Sequence, residues 1–480
     1  MNAKKILIIG SVILAVGVIC LLVGGKKNVY VKPDNQSETE TVDSVTGVDK
    51  SKTSLKFYLE CSASMNGYMD HSGRFKDAIN GCLSILNSSG YFDTIQLNYI
   101  GRTVHEFNSN FTLNQTESLL NEFLNPSYFQ YNKENISHVK NSKNPKSGIS
   151  YEDRNYSKLS EVLDTIIKRN REDVSVFVSD CILDPYDGQP ENYLALCKTD
   201  IYNLFQNALK NNPNLAVQII QLNSKFVGSY YYKVQNPEMA KDGKNSITET
   251  IALNGDVRPY YIWIIANRDR ISKFNDKLNR LKEHNENSES INSAIFAPGK
   301  NISIEIKTNN PDGMLNMKDD FATFDVIADF SDLLIDDISW IKKKENYTFE
   351  TRKAKDGDVI INGDIKYEDQ TKKITMPIKL TNVRPNIRTT IKLKTKDEEI
   401  VPQWVKDING SGAKNDAKNI KTTGFKYLFE GVSEAYKDFN GNYITEFSIY
   451  TTDDSKGKTK KQRPIDSKKE SKSKQSDQKL

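Results

Sequence analysis

Two short stretches combine side chains that could do chemistry: Glu60-Cys61-Ser62-Ala63-Ser64-Met65 and Ser179-Asp180-Cys181. Each follows an apolar run that reads as a buried strand, LKFYL over 55–59 and VSVFV over 174–178. In an open α/β sheet, ligands bind beyond the carboxyl ends of the strands, and both stretches fall there. A hydrolase reading would make Ser62 or Ser64 a nucleophile. No G-x-S-x-G elbow surrounds either serine, and none of His71, His105, His138 and His284 sits in a recognisable base motif. The histidines also lack H-x-x-H or H-E-x-x-H spacing, which argues against a histidine-based zinc centre. No GxxxxGK[ST] or GxGxxG is present, so a nucleotide-driven enzyme has no support. The expectation is a protein that is not an enzyme.

The elements that must position these loops alternate strand and helix. After LKFYL, residues 73–86 put Phe75, Ile79, Cys82 and Leu86 on one helical face. Strands are expected over 94–100 and 103–107, a helix over 157–168, and the VSVFV strand next. A helix over 200–209, strands over 215–222 and 260–266 and a helix over 271–281 complete the series. Near-continuous apolar strands separated by helices imply a mostly parallel sheet covered on both faces. The expected fold is α/β, a Rossmann-like three-layer domain over 54–283. Two insertions decorate it, 108–155 and 225–257, the second carrying Tyr230, Tyr231 and Tyr232. Long loops on a rigid scaffold commonly carry recognition, and tyrosine buries much area at small entropy cost. The expected binding loops therefore surround Met65, Cys181, Asp184, Tyr230, Tyr231 and Tyr232.

The phrase FYLECSASM resembles the D-x-S-x-S loop of von Willebrand factor A (vWA) domains, written here E-x-S-x-S. VFVSD resembles that family's strand ending in Thr-Asp or Ser-Asp. Ser157-Lys158-Leu159-Ser160-Glu161-Val162-Leu163 stands where the family has a Thr-Asn-x-x-x-x-Leu helix start. The resemblance implies a degenerate metal-ion-dependent adhesion site (MIDAS) for Mg²⁺. Hydroxyls of Ser62 and Ser64 would bind the ion directly, and Ser157 would supply the third, threonine-like hydroxyl. Glu60 and Asp180 would act through bound waters, leaving one position for a partner's carboxylate. Glu60 in place of Asp adds a methylene, and Ser157 replaces Thr; Mg²⁺ demands near-octahedral geometry at about 2.0–2.1 Å. Cys61 and Cys181 follow the acidic residues of strands that are neighbours in the family. A disulfide there would suit an exported domain but requires Cα atoms about 4.4–6.8 Å apart, and two buried thiols are the commoner outcome.

The remaining sequence sets the context. With 480 residues, 37% hydrophobic and 27% charged, the chain exceeds one ordinary core and fits two globular domains plus tails. Residues 1–5 form a short flank, and 6–25 run twenty residues without a charge, long enough for a membrane anchor. A cleavable signal peptide is the rival, but no A-x-A-like site follows before Lys26. Flanking lysines nearly balance; with no second apolar span, the globular part is placed outside the cytoplasm, at the cell membrane. Residues 26–53 read as a disordered polar linker. Residues 290–452 alternate in short strands with a late helix over 424–436, implying an immunoglobulin-like β-sandwich, and 453–480 form a disordered Lys/Ser-rich tail. That tail could hold an anionic surface; the net charge of only +4 implies no specific grip on nucleic acid. The expected function is a membrane-anchored, vWA-type protein-binding or assembly factor. The alternative is a metal-free structural adaptor in a membrane-linked apparatus for envelope maintenance, secretion or defence.

Overall fold

The computed structural model describes residues 29–34 and 54–452 apart from loop stretches, the longest being 129–142, 184–189, 236–245 and 353–358. The expected anchor, most of the linker and the tail lie outside the described residues. Among the described residues no helix is long and apolar enough to cross a membrane.

The chain is mixed α/β with several sheets. In order come β1 (Tyr30–Pro33), β2 (Ser54–Glu60), α1 (Phe75–Asn87), β3 (Thr94–Ile100), β4 (Val104–Phe111), α2 (Thr116–Phe123), α3 (Leu159–Arg169) and β5 (Val174–Ser179). Next are α4 (Pro190–Asn211), β6 (Leu215–Gln235), β7 (Ser246–Asn267), α5 (Arg268–Leu278) and β8 (Asn292–Phe296). A seven-stranded sheet runs β4-β3-β2-β5-β7-β6-β8. Its strands alternate side chains between two faces. Phe57 and Tyr260 point to the core under α1 and α5, and Tyr58 and Trp263 to the core under α3 and α4.

The sheet corrects the expectation of mostly parallel pairing. Only β3–β2 and β2–β5 are parallel; β4, β7, β6 and β8 join antiparallel. β6 and β7 are the arms of one hairpin, 21 and 22 residues long. Residues 260–266 read as a parallel strand because both their faces are buried, and two-sided burial gives an unbroken apolar run whatever the strand direction. The expected excursion over 225–257 is mostly the outer half of this hairpin. At its bend the register shifts between Phe226 and Val227, where Gly255 takes φ +88 as the extra residue of a bulge.

The second half adds β9 (Ile304–Lys307), β10 (Phe321–Asp329), α6 (Ile338–Lys342), β11 (Tyr347–Arg352), β12 (Val359–Ile361), β13 (Lys366–Glu368), β14 (Lys373–Thr381) and β15 (Arg388–Lys394). It ends with α7 (Gln403–Ile408), β16 (Asn409–Gly410), β17 (Thr422–Thr423), α8 (Phe425–Phe439) and β18 (Tyr443–Thr452). Two antiparallel sheets, β1-β18-β15-β11 and β12-β14-β10-β9, share one core in which Phe324, Met376, Ile391 and Phe447 are buried. Alternating burial along β10 and β14 is the pattern of strands with one face inward.

Three boundaries differ from the expectation: β8, expected within the sandwich, is the edge strand of the large sheet beside β6. Tyr30–Pro33, expected within the linker, form an edge strand on β18, and the Asp34 carboxylate meets Arg388 Nε at 2.5 Å. Val29, Tyr30 and Val31 are buried, but three apolar residues are too few to show a period. The late helix α8 does not belong to the sandwich: it lies on α4, where Lys198 pairs with Glu434 at 2.7 Å and Gln206 donates to the Ala435 carbonyl at 2.7 Å. Its apolar face of Phe425, Leu428, Phe429 and Val432 covers a part of the large sheet that α3 and α4 leave open. Gly431 permits this approach, since a Cβ there would sit 2.7 Å from the Lys198 carbonyl.

Val31 is 3% exposed, so Val31→Asp should lower the sandwich's unfolding free energy by about 3 kcal/mol or more. Lys32→Gln, at a half-buried position on the same strand, should change it by under about 0.5 kcal/mol. Denaturant titration of both variants measures the difference, and equal small effects would show that β1 is not part of the core.

Candidate functional site

The carboxyl ends of the adjacent parallel strands β2 and β5 bring Glu60 beside Ser179 and Asp180. The Ser179 hydroxyl donates to Glu60 Oε2 and accepts the Cys181 amide at 2.7 Å. Cys181 takes φ +54, a left-handed conformation uncommon outside glycine, and so turns the chain sharply after Asp180. Trp263 Nε1 donates to Cys181 Sγ at 3.3 Å, and the Leu183 amide to the Thr423 carbonyl at 3.0 Å, fixing the bend from both sides.

After β2, Ser62 is extended and leads into a 3₁₀ turn over Ala63–Tyr68. Met65 and Tyr68 anchor the turn in the core, and the Tyr68 hydroxyl donates to the Pro259 carbonyl at 2.6 Å. Tyr68 packs edge-on to Phe226 with centroids 5.0 Å apart. Gly67 lies under the Phe226 ring, so close that a Cβ would come within 2.3 Å of it. With the turn held this way, the Ser62 and Ser64 hydroxyls lie 2.9 Å apart at the rim of the acidic pair.

Glu60 and Asp180 are 3% and 2% exposed. Burial, and then the charge of Asp180, pushes the Glu60 carboxyl up to about 8, against hydrogen bonds from Ser179 and Ser62. Burial also raises Asp180, opposed by a hydrogen bond with Ser64, by the Ile182 amide and by the charge of Arg258. Those extra partners make Asp180 the member that ionises and Glu60 the one that keeps the proton. Arg258 is itself buried: its guanidinium donates to the carbonyls of Asp416 at 2.6 Å, Ala417 at 3.3 Å and Lys421 at 2.6 Å, and stacks 4.6 Å from the Tyr230 ring. It is a fixed cation beside the pair.

Of the expected ligands, Glu60, Ser62, Ser64 and Asp180 come together; Ser157 and Asp184 lie outside the described residues. Among the described residues no three His, Cys, Asp or Glu side chains gather as a metal cluster, so a cation here would depend on the serine hydroxyls. Two buried carboxylates that repel each other, with two hydroxyls at the rim, form a hard-oxygen set that fits Mg²⁺. Ser62, Ser64 and Asp180 would hold the ion, and Glu60 would have to release its proton as it bound.

The expected recognition loops need correction. Met65 and Cys181 are buried and shape the loops from beneath. Tyr230 and Tyr232 are also buried, because alternation along β6 turns both inward, and only Tyr231, at 40%, is exposed. Cys61 and Cys181 are buried thiols that form no disulfide with each other, as expected of the commoner outcome. Sequence reasoning gave no role to Ser179, whose signal was its place beside Asp180, nor to Arg258, a lone cation bordering the apolar run of β7.

A separate cluster beside Cys61 joins Asp153 to His105 Nε2 at 3.0 Å, to the Ser150 hydroxyl at 2.6 Å and to the Thr103 amide at 2.9 Å. The Thr103 hydroxyl meets the same His105 nitrogen at 3.1 Å, so the ring does not bridge hydroxyl and carboxylate as a proton relay must. The cluster ties Ser150 and Asp153 to Thr103 and His105 at the β3–β4 turn.

Because the Glu60 carboxyl is raised above its unfolded value near 4.5, the stability it contributes is present below that value and lost as pH rises to about 8. Metal-free protein should therefore lose roughly 1 kcal/mol per pH unit across this window, and Glu60→Gln should flatten the slope. Denaturant unfolding from pH 5 to 8 checks it; a slope unchanged by the substitution would place the proton elsewhere. In comparisons with known proteins, no family model, no curated protein and no solved structure matches this chain.

Proposed function

We propose that the chain is a membrane-anchored binding or assembly factor of vWA type, and not an enzyme. It engages a protein partner through a degenerate, Mg²⁺-responsive MIDAS at the sheet edge. The observation that carries this reading is the convergence of Glu60, Ser62, Ser64 and Asp180 at the ends of two adjacent parallel strands. A partner carboxylate would complete the shell of an ion held by Ser62, Ser64 and Asp180. The anchor over 6–25 would keep the globular part at an extracytoplasmic membrane face, and the lysine-rich tail could rest on an anionic surface there.

A second reading, a metal-free adaptor, is favoured by one specific observation. The proton on Glu60 and the fixed charge of Arg258 balance Asp180 without any metal ion. In that case the acidic pair holds the loops in shape, and partner contact is independent of Mg²⁺.

Thermal unfolding separates the two. An ion bound with a Kd near 0.1 mM would stabilise the folded state by roughly 2.7 kcal/mol at 10 mM Mg²⁺. That corresponds to a rise in Tm of roughly 5–10 °C in matched ionic strength. Asp180→Asn and a Ser62→Ala, Ser64→Ala double variant should lose the Mg²⁺-dependent rise while keeping the pH-independent part of their stability. Equal Mg²⁺ responses in wild type and both variants would overturn the metal-dependent reading in favour of the adaptor.

A further inference from the structure

Helix α4 has one face packed under α8 and a neighbouring face that lines a groove. Tyr202 donates to Asp438 at 2.8 Å, Gln206 to the Ala435 carbonyl at 2.7 Å, and Lys198 meets Glu434 at 2.7 Å, which places the first face. The second bears Tyr193, Leu196, Cys197, Asp200 and Leu204, spaced so that they follow one stripe of the helix. Together with the first turns of α3 they enclose a groove of about 520 Å³. From Tyr193 to Leu204 the stripe runs about 16 Å, or about three helical turns.

The floor of the groove is apolar. Leu159, Leu183, Ile201 and Leu428 are buried at its base. Leu196 stands at its edge, 63% exposed, the most exposed large apolar side chain among the described residues. A single exposed leucine is ordinary, but one that continues an apolar floor leaves a contiguous surface to be covered.

The rim decides what can cover it. Among the described residues the lining holds three acids, Glu161, Asp164 and Asp200, and one base, Lys158. Glu161 meets Lys158 at 3.0 Å and Asp164 meets Lys168 at 2.5 Å, in i,i+3 and i,i+4 pairs along α3. Exposed pairs of this kind are worth under about 1 kcal/mol, so an incoming cation can share these carboxylates, and none has to be without a partner. In sequence, the flanking residues 184–189, outside the described residues, add Asp184 and Asp187 and no base, and 154–157 add Arg154 alone. The balance is acidic. The same face of a second copy, or an anionic lipid surface, would bring like charge to that rim. A basic amphipathic helix matches both rim and floor.

We propose that this groove receives such a helix from a partner protein, with leucine-type side chains against Leu196 and the floor and Lys or Arg side chains against the acidic rim. Anchors at i, i+3, i+4 and i+7 on the partner correspond to the spacing of the groove's own wall. The docking requires no ion at Glu60 and Asp180, so it stands or falls apart from the metal-dependent reading.

The test uses the full chain in phosphatidylcholine nanodiscs, with empty nanodiscs as blank. The probes are two fluorescein-labelled peptides of about 14 residues, four turns of helix, that share leucines at i, i+3, i+4 and i+7. One carries Lys at the remaining positions and the other Glu. Anisotropy titration should show the Lys peptide saturating at one per chain and the Glu peptide weaker by about tenfold or more. Leu196→Ser should weaken the Lys peptide by about tenfold. Asp200→Lys should weaken it by about tenfold and strengthen the Glu peptide. Both positions are exposed, so neither substitution disturbs the core. Equal affinity for the two peptides, indifference to both substitutions, or no saturable binding would each overturn the proposal. So would a dimer of the full chain that Leu196→Ser dissociates, which gives the groove to a second copy. Lys-peptide binding that appears only once residues 453–480 are removed would overturn it too, giving the groove to the chain's own tail.

Discussion

Two carboxylates buried side by side at the ends of parallel strands are the constraint to which the surrounding structure answers. Neither Glu60 nor Asp180 reaches bulk water, and like charges at that depth cannot both persist without compensation. Compensation comes in three forms: a proton kept on Glu60, hydroxyl and amide donors from Ser179, Ser62, Ser64 and Ile182, and the nearby charge of Arg258. Each imposes a local shape. The left-handed bend at Cys181 and the 3₁₀ turn after Ser62 aim the donors at the pair.

Arg258 carries this constraint across the molecule. A guanidinium buried without partners would cost several kcal/mol, and its partners are backbone carbonyls of a loop 158 to 163 residues further along the chain. That loop leads through β17 into α8, the helix that completes the cover of the large sheet. Tyr261 reinforces the same junction, donating to the Thr422 hydroxyl at 2.9 Å and stacking on Phe425 at 3.9 Å. The charge balance of the candidate site and the seating of the last helix are thus one arrangement, and disturbing Arg258 would loosen both.

The legibility of these features in the sequence follows their range. Glu60 and Asp180 were readable because each ends a short apolar run, a local signal that fixes where a strand stops. The serines beside them were readable for the same reason. Strand direction was hidden, since Tyr260–Ala266 is buried on both faces and its composition is the same in either orientation. β1 was hidden because Val29–Val31 gains its meaning only from a partner strand at the far end of the chain. The inward turn of Tyr230 and Tyr232 became apparent only once residues 225–235 were a strand and not a loop. Arg258 depends wholly on contacts distant in sequence, which no spacing rule records.

Glu60 keeps its proton at neutral pH because burial and the charge of Asp180 hold it there. The most direct measurement is ¹³C NMR of the side-chain carboxyl of Glu60, assigned by its loss in Glu60→Gln and followed through a pH titration in metal-free buffer. The expected midpoint lies near 8, far above the ordinary glutamate value. A midpoint close to 4.5 would contradict it, because the carboxylate would then be ionised at neutral pH.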